Sequence, residues 1–283
     1  MTSPGNARRL VVATAQCQIK PDPRQNAATV RRILKRAAAR GARLVHLPEG
    51  ALSGYVKAQI PSWDAVDFEA LHQELQQIAE DARRLGLWVV IGSAHPLTPP
   101  TRPHNALYVI ADDGRIAGRC DKRFCSNSEI NDWYTPGFEP CVFEVDGIRI
   151  GCALCIEIRF PEVFLEAARL GVEVMLVSSY SDDPIDPLLA RAHAAMNTMW
   201  VSYCVPVNTS AAGASRIIGP DGHELTRCAA NRAQTIVTTV DPEDTHWDVP
   251  LRRAKPWRAS AREGGIYEAR RVDDPRSHDK TVA

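Results

Sequence analysis

The chain has 283 residues, 45% of them apolar and 24% charged, enough to bury the core of one large domain or two ordinary ones. Lysine plus arginine and aspartate plus glutamate both total 34, so no global basic field exists to draw nucleic acid or an anionic membrane. The eight cysteines (17, 120, 125, 141, 152, 155, 204, 228) are scattered over a chain too large to need stapling, and reduced thiols are expected.

The start, MTSPGNARRLVVATAQC, carries two arginines before a short apolar run that alternates with small and polar residues. It reads as a strand rather than a signal peptide. No apolar stretch approaches the ~20 residues that span a bilayer, and a cytoplasmic protein is expected.

Along the chain, buried runs and period-2 segments alternate with 3.6-period segments, the pattern of an α/β protein. LVVATAQC (10 to 17) reads as a buried strand, and PRQNAATVRRILKRAAARG (23 to 41) as a helix opened by proline and closed by glycine. RLVHLPEG (43 to 50) is a second strand that stops at Pro48, 66 to 86 a helix, LWVVIGS (87 to 93) a strand, and ALYVIADDGRIAGRC (106 to 120) a hairpin. An irregular stretch from Lys122 to Pro140 precedes a second hairpin around Asp146 and Gly147. PEVFLEAARLG (161 to 171) has proline in its first helical turn and a closing glycine. VEVMLVSS, a helix near 186 to 199, VSYCVPVN, ASRIIGPDGHEL and TIVTTVD complete the alternation. Both halves share this coarse order, and no composition break precedes Asp241. The expectation is one domain over 1–241 and an extended C-terminal segment over 242–283, whose arginines read as a solvated tail rather than a binding arm.

The segment GCALCIEIRFPE sets Cys152 and Cys155 in a C-x-x-C spacing. On a strand, residues three apart point to opposite faces, so the two thiols cannot pair. A thioredoxin-type dithiol would open a helix, and no second C-x-x-C or Cys/His pair exists to complete a zinc site. What is left is positional: Cys155 ends a strand and enters a turn toward a helix, at the carboxyl edge of the sheet where α/β proteins collect their sites. Amides near the helix start can hold an oxyanion there. Cys152 is then a bystander in the core. A thiol nucleophile needs a base. His46, His193 and His223 sit in a strand, a helix and a turn, and read as structural. Glu49 ends the run VHLPEG, and taken alone it reads as a solvated cap.

LVHLPEGALSGY (44 to 55), DKRF (121 to 124) and GCALCIEIRFPEVF (151 to 164) resemble, in order, the three signature segments of the nitrilase, or carbon-nitrogen hydrolase, superfamily. VVATAQC, Asn208 closing VSYCVPVN, and ASRIIGPDGHEL also look like that family, so the resemblance extends to about residue 241. It implies a four-layer αββα sandwich, commonly dimeric, with the segment after Asp241 reaching a partner subunit. It also implies a catalytic Glu49, Lys122 and Cys155, an oxyanion site made by Lys122 and the backbone N–H of Ile156, and no metal or organic cofactor. The implied activity is hydrolysis of a non-peptide carbon-nitrogen bond in a small amide, carbamoyl compound or nitrile, through a cysteine thioester.

Glu129 matches a second pocket glutamate of many family members, and a surface-loop role stands beside it. Arg159 fits the family's C-x-x-x-R-F-P-E form, as a substrate contact or as an ion pair with Glu157 or Glu162. Tyr55, Trp133, Ser179 and Tyr180 are further candidates for positioning substrate or water. Asp182, Asp183 and Asp186 read as a solvated loop rather than a cation-binding one. Cys155-Ile156-Glu157 departs from the C-W-E of true nitrilases, and Arg123 replaces the histidine that N-carbamoyl amidases often carry near the lysine. Both departures favour an amidase-like branch, with carbamoyl hydrolysis, a nitrilase and a catalytically silent binding or scaffold protein as alternatives.

Overall fold

Asp22 accepts the backbone N–H of Arg24, Pro23 opens the first turn, and Ala27, Val30, Leu34 and Ala37 form one buried stripe at helical spacing. The computed structural model containing this helix describes residues 8–56 and 58–281; the first seven residues, where the leader question arises, lie outside that range. In the first half, β1 (Leu10–Gln16), α1 (Pro23–Ala38), β2 (Leu44–His46), α2 (Phe68–Leu85) and β3 (Trp88–His95) make two crossovers between parallel strands. The antiparallel strands β4 (His104–Ile110) and β5 (Ile116–Asp121) follow.

The second half repeats the plan. The hairpin β6 (Val142–Val145) and β7 (Ile148–Leu154) turns at Asp146 and Gly147, both at positive φ, as a two-residue hairpin turn requires. Then α3 (Pro161–Arg169), β8 (Val174–Ser178), α4 (Asp186–Asn197) and β9 (Trp200–Cys204) build three parallel strands, with β10 (Arg216–Ile218) and β11 (Glu224–Arg227) antiparallel beyond them. β12 (Gln234–Val240) returns to pair with β1, giving sheet orders β12-β1-β2-β3-β4-β5 and β11-β10-β9-β8-β7-β6.

The second strand is shorter than its apolar run suggests. Only Leu44–His46 joins both neighbours; after the Leu47 N–H bonds Val90 O at 2.9 Å the chain leaves the sheet at Pro48. The second helix starts at Phe68 because the Asp67 side chain caps it, accepting the Ala70 N–H at 2.8 Å.

Side-chain alternation assigns the layers. Ala13, Ala15, Val45, Val89 and Ile91 face α1 and α2; Leu10, Val12, Leu44 and Val90 face Ile150, Leu154, Leu176 and Trp200 of the second sheet. Ala153, Val177 and Val201 pack against Phe164 and Ala194 of α3 and α4. The result is the αββα sandwich expected from the sequence. Past β12, Trp247 stacks edge-on against Trp200 at 5.7 Å, and α5 (Lys255–Glu263) sends Arg258 and Arg262 to the carbonyls of Ala195 and Met196 at the end of α4. Among the described residues no helix is long and apolar enough to cross a membrane.

One polar thread crosses the sheet interface. His46 is fully buried, with Nδ1 2.7 Å from Ser202 Oγ and Nε2 2.8 Å from Ser178 Oγ. Ser178 donates its hydroxyl to Leu47 O at 2.9 Å, so His46 Nε2 carries the proton and Nδ1 accepts from Ser202, which in turn accepts from Thr14. Burial holds the imidazole neutral, its pKa lowered to about 3. The unfolded chain binds a proton here below about 6.5 and the folded one does not, so stability present above that pH is lost as the pH falls toward 3. Chemical denaturation across this window should show an acid-side loss of up to about 5 kcal/mol from this site, reduced in His46→Gln. An acid limb unchanged by the substitution would assign the loss to other groups.

Candidate active site

The carboxyl ends of β2, β5 and β7 meet at one edge of the sandwich. They carry Glu49, Lys122 and Cys155. Each place has a local cause. Gly92 on β3 lets the Glu49 loop pass: a Cβ there would lie 2.4 Å from Pro48 O and 2.8 Å from Glu49 Cα. Lys122 sits one residue beyond β5, its N–H bonded to Asn105 O and its carbonyl to the Gly137 N–H, both at 2.8 Å. Cys155 stands directly after β7, at the head of a 3-10 turn Cys155–Arg159, with φ +49. A non-glycine residue in the left-handed region costs on the order of 1–3 kcal/mol, a strain typical of functional positions.

Lys122 Nζ donates to Glu49 Oε1 at 3.0 Å and to Glu129 Oε1 at 2.8 Å, all three groups being at most 2% exposed. Asn105 Nδ2 donates to the same two oxygens, at 2.7 and 3.3 Å. Glu49 Oε2 has no partner and is the one open acceptor of that carboxylate. Burial opposes the charge on Lys122, but Glu49, Cys155 and Glu129 outweigh it and hold the ammonium protonated. Burial raises the carboxyl of Glu49 despite Lys122, with the charge of Glu129 adding to the rise. Glu129 is buried too, yet Lys122 and the Ser126 N–H bring its carboxyl below the ordinary value. The two carboxylates thus differ in direction: burial raises Glu49, while Lys122 and the Ser126 N–H bring Glu129 down against its own burial.

The Cys155 thiol is pushed up to about 12, by burial first and by the charge of Glu49 second, while Lys122, the Ser179 hydroxyl and the Tyr180 N–H work the other way. At neutral pH the resting sulfur therefore keeps its proton. Cys155 as a residue is half-buried, and burial of its thiol is the largest cause of that rise.

The other candidates fall into three groups. Tyr55, Tyr180 and Glu129 belong to the site: Tyr55 donates to Glu129 at 3.2 Å and stacks on Tyr180 at 4.5 Å, and Gln59 donates to the Tyr180 hydroxyl at 2.8 Å. Ser179 and the head of the Ile156 turn flank Cys155. Trp133 lies farther out, packed on Trp63, at the end of a π-helical turn that begins at Glu129. Arg159 pairs with Asp183 at 2.5 Å and Asp186 at 2.8 Å, not with Glu157 or Glu162. That pairing also occupies the acidic loop weighed as a cation site. Glu157 is instead buried against main-chain amides. Cys152 faces the sheet interface, where its thiol and that of Cys120 hydrogen-bond Cys141; all eight cysteines are free.

Asn105 and Gln59 escape sequence reasoning, since a polar residue inside a strand and a glutamine in a loop carry no local mark. Gly92 leaves a trace, as a glycine interrupting a buried β run. Among the described residues, no group of three or more His, Cys, Asp or Glu is arranged to hold a metal ion.

The chain is similar in sequence to known amidases and in fold to a solved one. The chloroplastic omega-amidase of Arabidopsis thaliana is 26% identical over 280 residues, covering 91% of this chain and 73% of that protein. Deaminated glutathione amidase of Mus musculus is 26% identical over 243 residues, covering 77% and 74%. The crystal structure of an amidase from Nesterenkonia sp. superposes with a TM-score of 0.74 over 89% of this chain and 96% of that one, at 24% identity, which establishes the fold. The Carbon-nitrogen hydrolase profile matches residues 11–246 and takes in all three strand ends. The chain belongs to the carbon-nitrogen hydrolase family.

Proposed function

We propose that the protein is a thiol-dependent amidase that converts a small primary amide to ammonia and a carboxylic acid, with Glu49, Lys122 and Cys155 as the catalytic residues. The observation that carries this reading is the buried Lys122 ammonium bonded to two carboxylates beside a strained cysteine. A binding or scaffold protein has no use for that arrangement. The amidase names borne by its relatives point the same way.

Cys155 Sγ attacks the substrate carbonyl carbon while Glu49 Oε2 accepts the thiol proton. Because the resting thiol is neutral, proton transfer accompanies attack. The oxyanion forms against the Lys122 ammonium and the Ile156 N–H. The tetrahedral intermediate collapses as Glu49 returns the proton to the departing nitrogen. Ammonia leaves and a thioester remains. Glu49 then takes a proton from water, whose oxygen attacks the thioester carbonyl; the second intermediate expels Cys155, which recovers that proton, and the acid is released. Glu129 keeps Lys122 in place throughout, and Tyr55 and Tyr180 form one wall for the substrate.

Within this reading the protein is a cytoplasmic homodimer and residues 242–283 are an extension that packs at the subunit interface. The apolar residues left exposed on α4 and α5, Leu188 (55%), Met196 (49%) and Trp257 (59%), support a second copy as their cover.

Ammonia release from a panel of primary amides, ω-amido acids, N-carbamoyl amines and nitriles should come from wild type and vanish in Cys155→Ala. Release surviving in the variant would reject the nucleophile, and a best substrate among carbamoyl compounds or nitriles would move the protein to that branch. Glu49→Gln should lower amide turnover by on the order of 10²–10⁴-fold. Removing its negative charge should also move iodoacetamide alkylation of Cys155 to lower pH. An alkylation profile that does not move would mean that burial alone raises the thiol.

A further inference from the structure

Glu157 follows Cys155 by two residues and is 2% exposed. Its Oε1 accepts the backbone N–H of Arg123 at 2.8 Å and of Phe124 at 3.1 Å, and its Oε2 accepts the backbone N–H of Leu154 at 2.7 Å. The first two amides immediately follow Lys122, and the third immediately precedes Cys155. β5 and β7 lie in different sheets, so no strand ladder joins their ends. One carboxylate spans that gap.

We propose that Glu157 is a positioning residue, a three-amide clamp that sets the Lys122 ammonium against Cys155 and the oxyanion site. The proposal rests on the amidase reading above. The geometry requires the ionised form: both oxygens face N–H donors, and a proton on either would set donor against donor. Burial raises this carboxyl, and the three amides and the Lys122 charge oppose the rise. The Leu154 arm is the reach of a third-position glutamate back to the amide at the head of its own turn. The Arg123 and Phe124 arms are what make it a device of the site, since they take up the amides just past the last ladder bond of β5.

Glu157→Gln keeps the shape but turns an amide NH₂ toward at least one of these N–H groups. A displacement of about 1 Å in a catalytic group costs on the order of 10²-fold. The variant should therefore lose kcat by roughly that factor with little change in KM. Lys122 pulls the thiol down, so its displacement should also move iodoacetamide alkylation of Cys155 to higher pH, while the melting transition stays cooperative. A variant with wild-type kcat and an unmoved alkylation profile overturns the proposal. So does a loss of activity that only tracks the loss of folded protein, with the alkylation profile unmoved. If Glu157→Gln does not fold, Glu157→Asp keeps the charge and withdraws it by one methylene; the same two shifts, smaller, are expected, and their absence again overturns the clamp. Alkylation needs no substrate, so a shifted profile beside a wild type silent on every amide would reject the amidase reading and uphold the clamp.

Discussion

The site depends on a lysine ammonium held out of water by two carboxylates. Lys122, Glu49 and Glu129 are each at most 2% exposed, and isolated charges at such depth would neutralise themselves. One cation between two anions is tolerable only if the remaining polar atoms are satisfied, because a buried ion pair recovers its desolvation through geometry and further hydrogen bonds. Asn105, Tyr55 and the Ser126 N–H supply those bonds. Of the four oxygens of these two carboxylates, Glu49 Oε2 is the one left out. The unsatisfied acceptor lies where the proposed chemistry needs a proton acceptor.

The sandwich makes this arrangement possible by directing three strand ends to one edge, from two sheets that share no backbone ladder. Packing between sheets is non-directional and fixes relative position only through many small contacts. The polar links supply the missing direction. His46 runs from Ser202 of the second sheet to Ser178 and on to the carbonyl of Leu47, two residues before Glu49. Glu157 joins the exits of β5 and β7. Arg159 fixes the far end of the cysteine turn to the start of α4. The left-handed backbone at Cys155 persists because both sides of it are tied down.

Much of this was legible in the sequence. Alternation and helix punctuation gave both halves of the fold, because the period of an apolar stripe is a local property. The opposite faces of Cys152 and Cys155 followed from strand geometry alone. Glu49 and Lys122 did not: an acidic residue after a proline and a lysine after a strand look like ordinary caps until a resemblance links three distant segments. The partners of Arg159 are not its sequence neighbours Glu157 and Glu162, because Asp183 and Asp186 approach it from beyond β8. Asn105 and the amide contacts of Glu157 carry no local mark for the same reason, since each depends on what a different strand brings beside it.

The two cysteines of the C-x-x-C segment show how far environment separates identical groups. Cys152 looks inward, its thiol hydrogen-bonded to that of Cys141 among the apolar residues between the sheets. Cys155, three residues on, meets an ammonium, a carboxylate, a hydroxyl and a main-chain N–H. The contact with Cys141 and then burial raise Cys152, and burial and then Glu49 raise Cys155, so a low resting pKa does not distinguish the two. What sets Cys155 apart is its company, Glu49 and Lys122, and under the proposed mechanism the open Oε2 of Glu49 takes its proton. A neutral thiol beside an unsatisfied carboxylate oxygen avoids a thiolate that would compete with Glu49 and Glu129 for the charge of Lys122. In the proposed reaction the ammonium then remains available for the oxyanion, the new negative charge that attack places on the substrate.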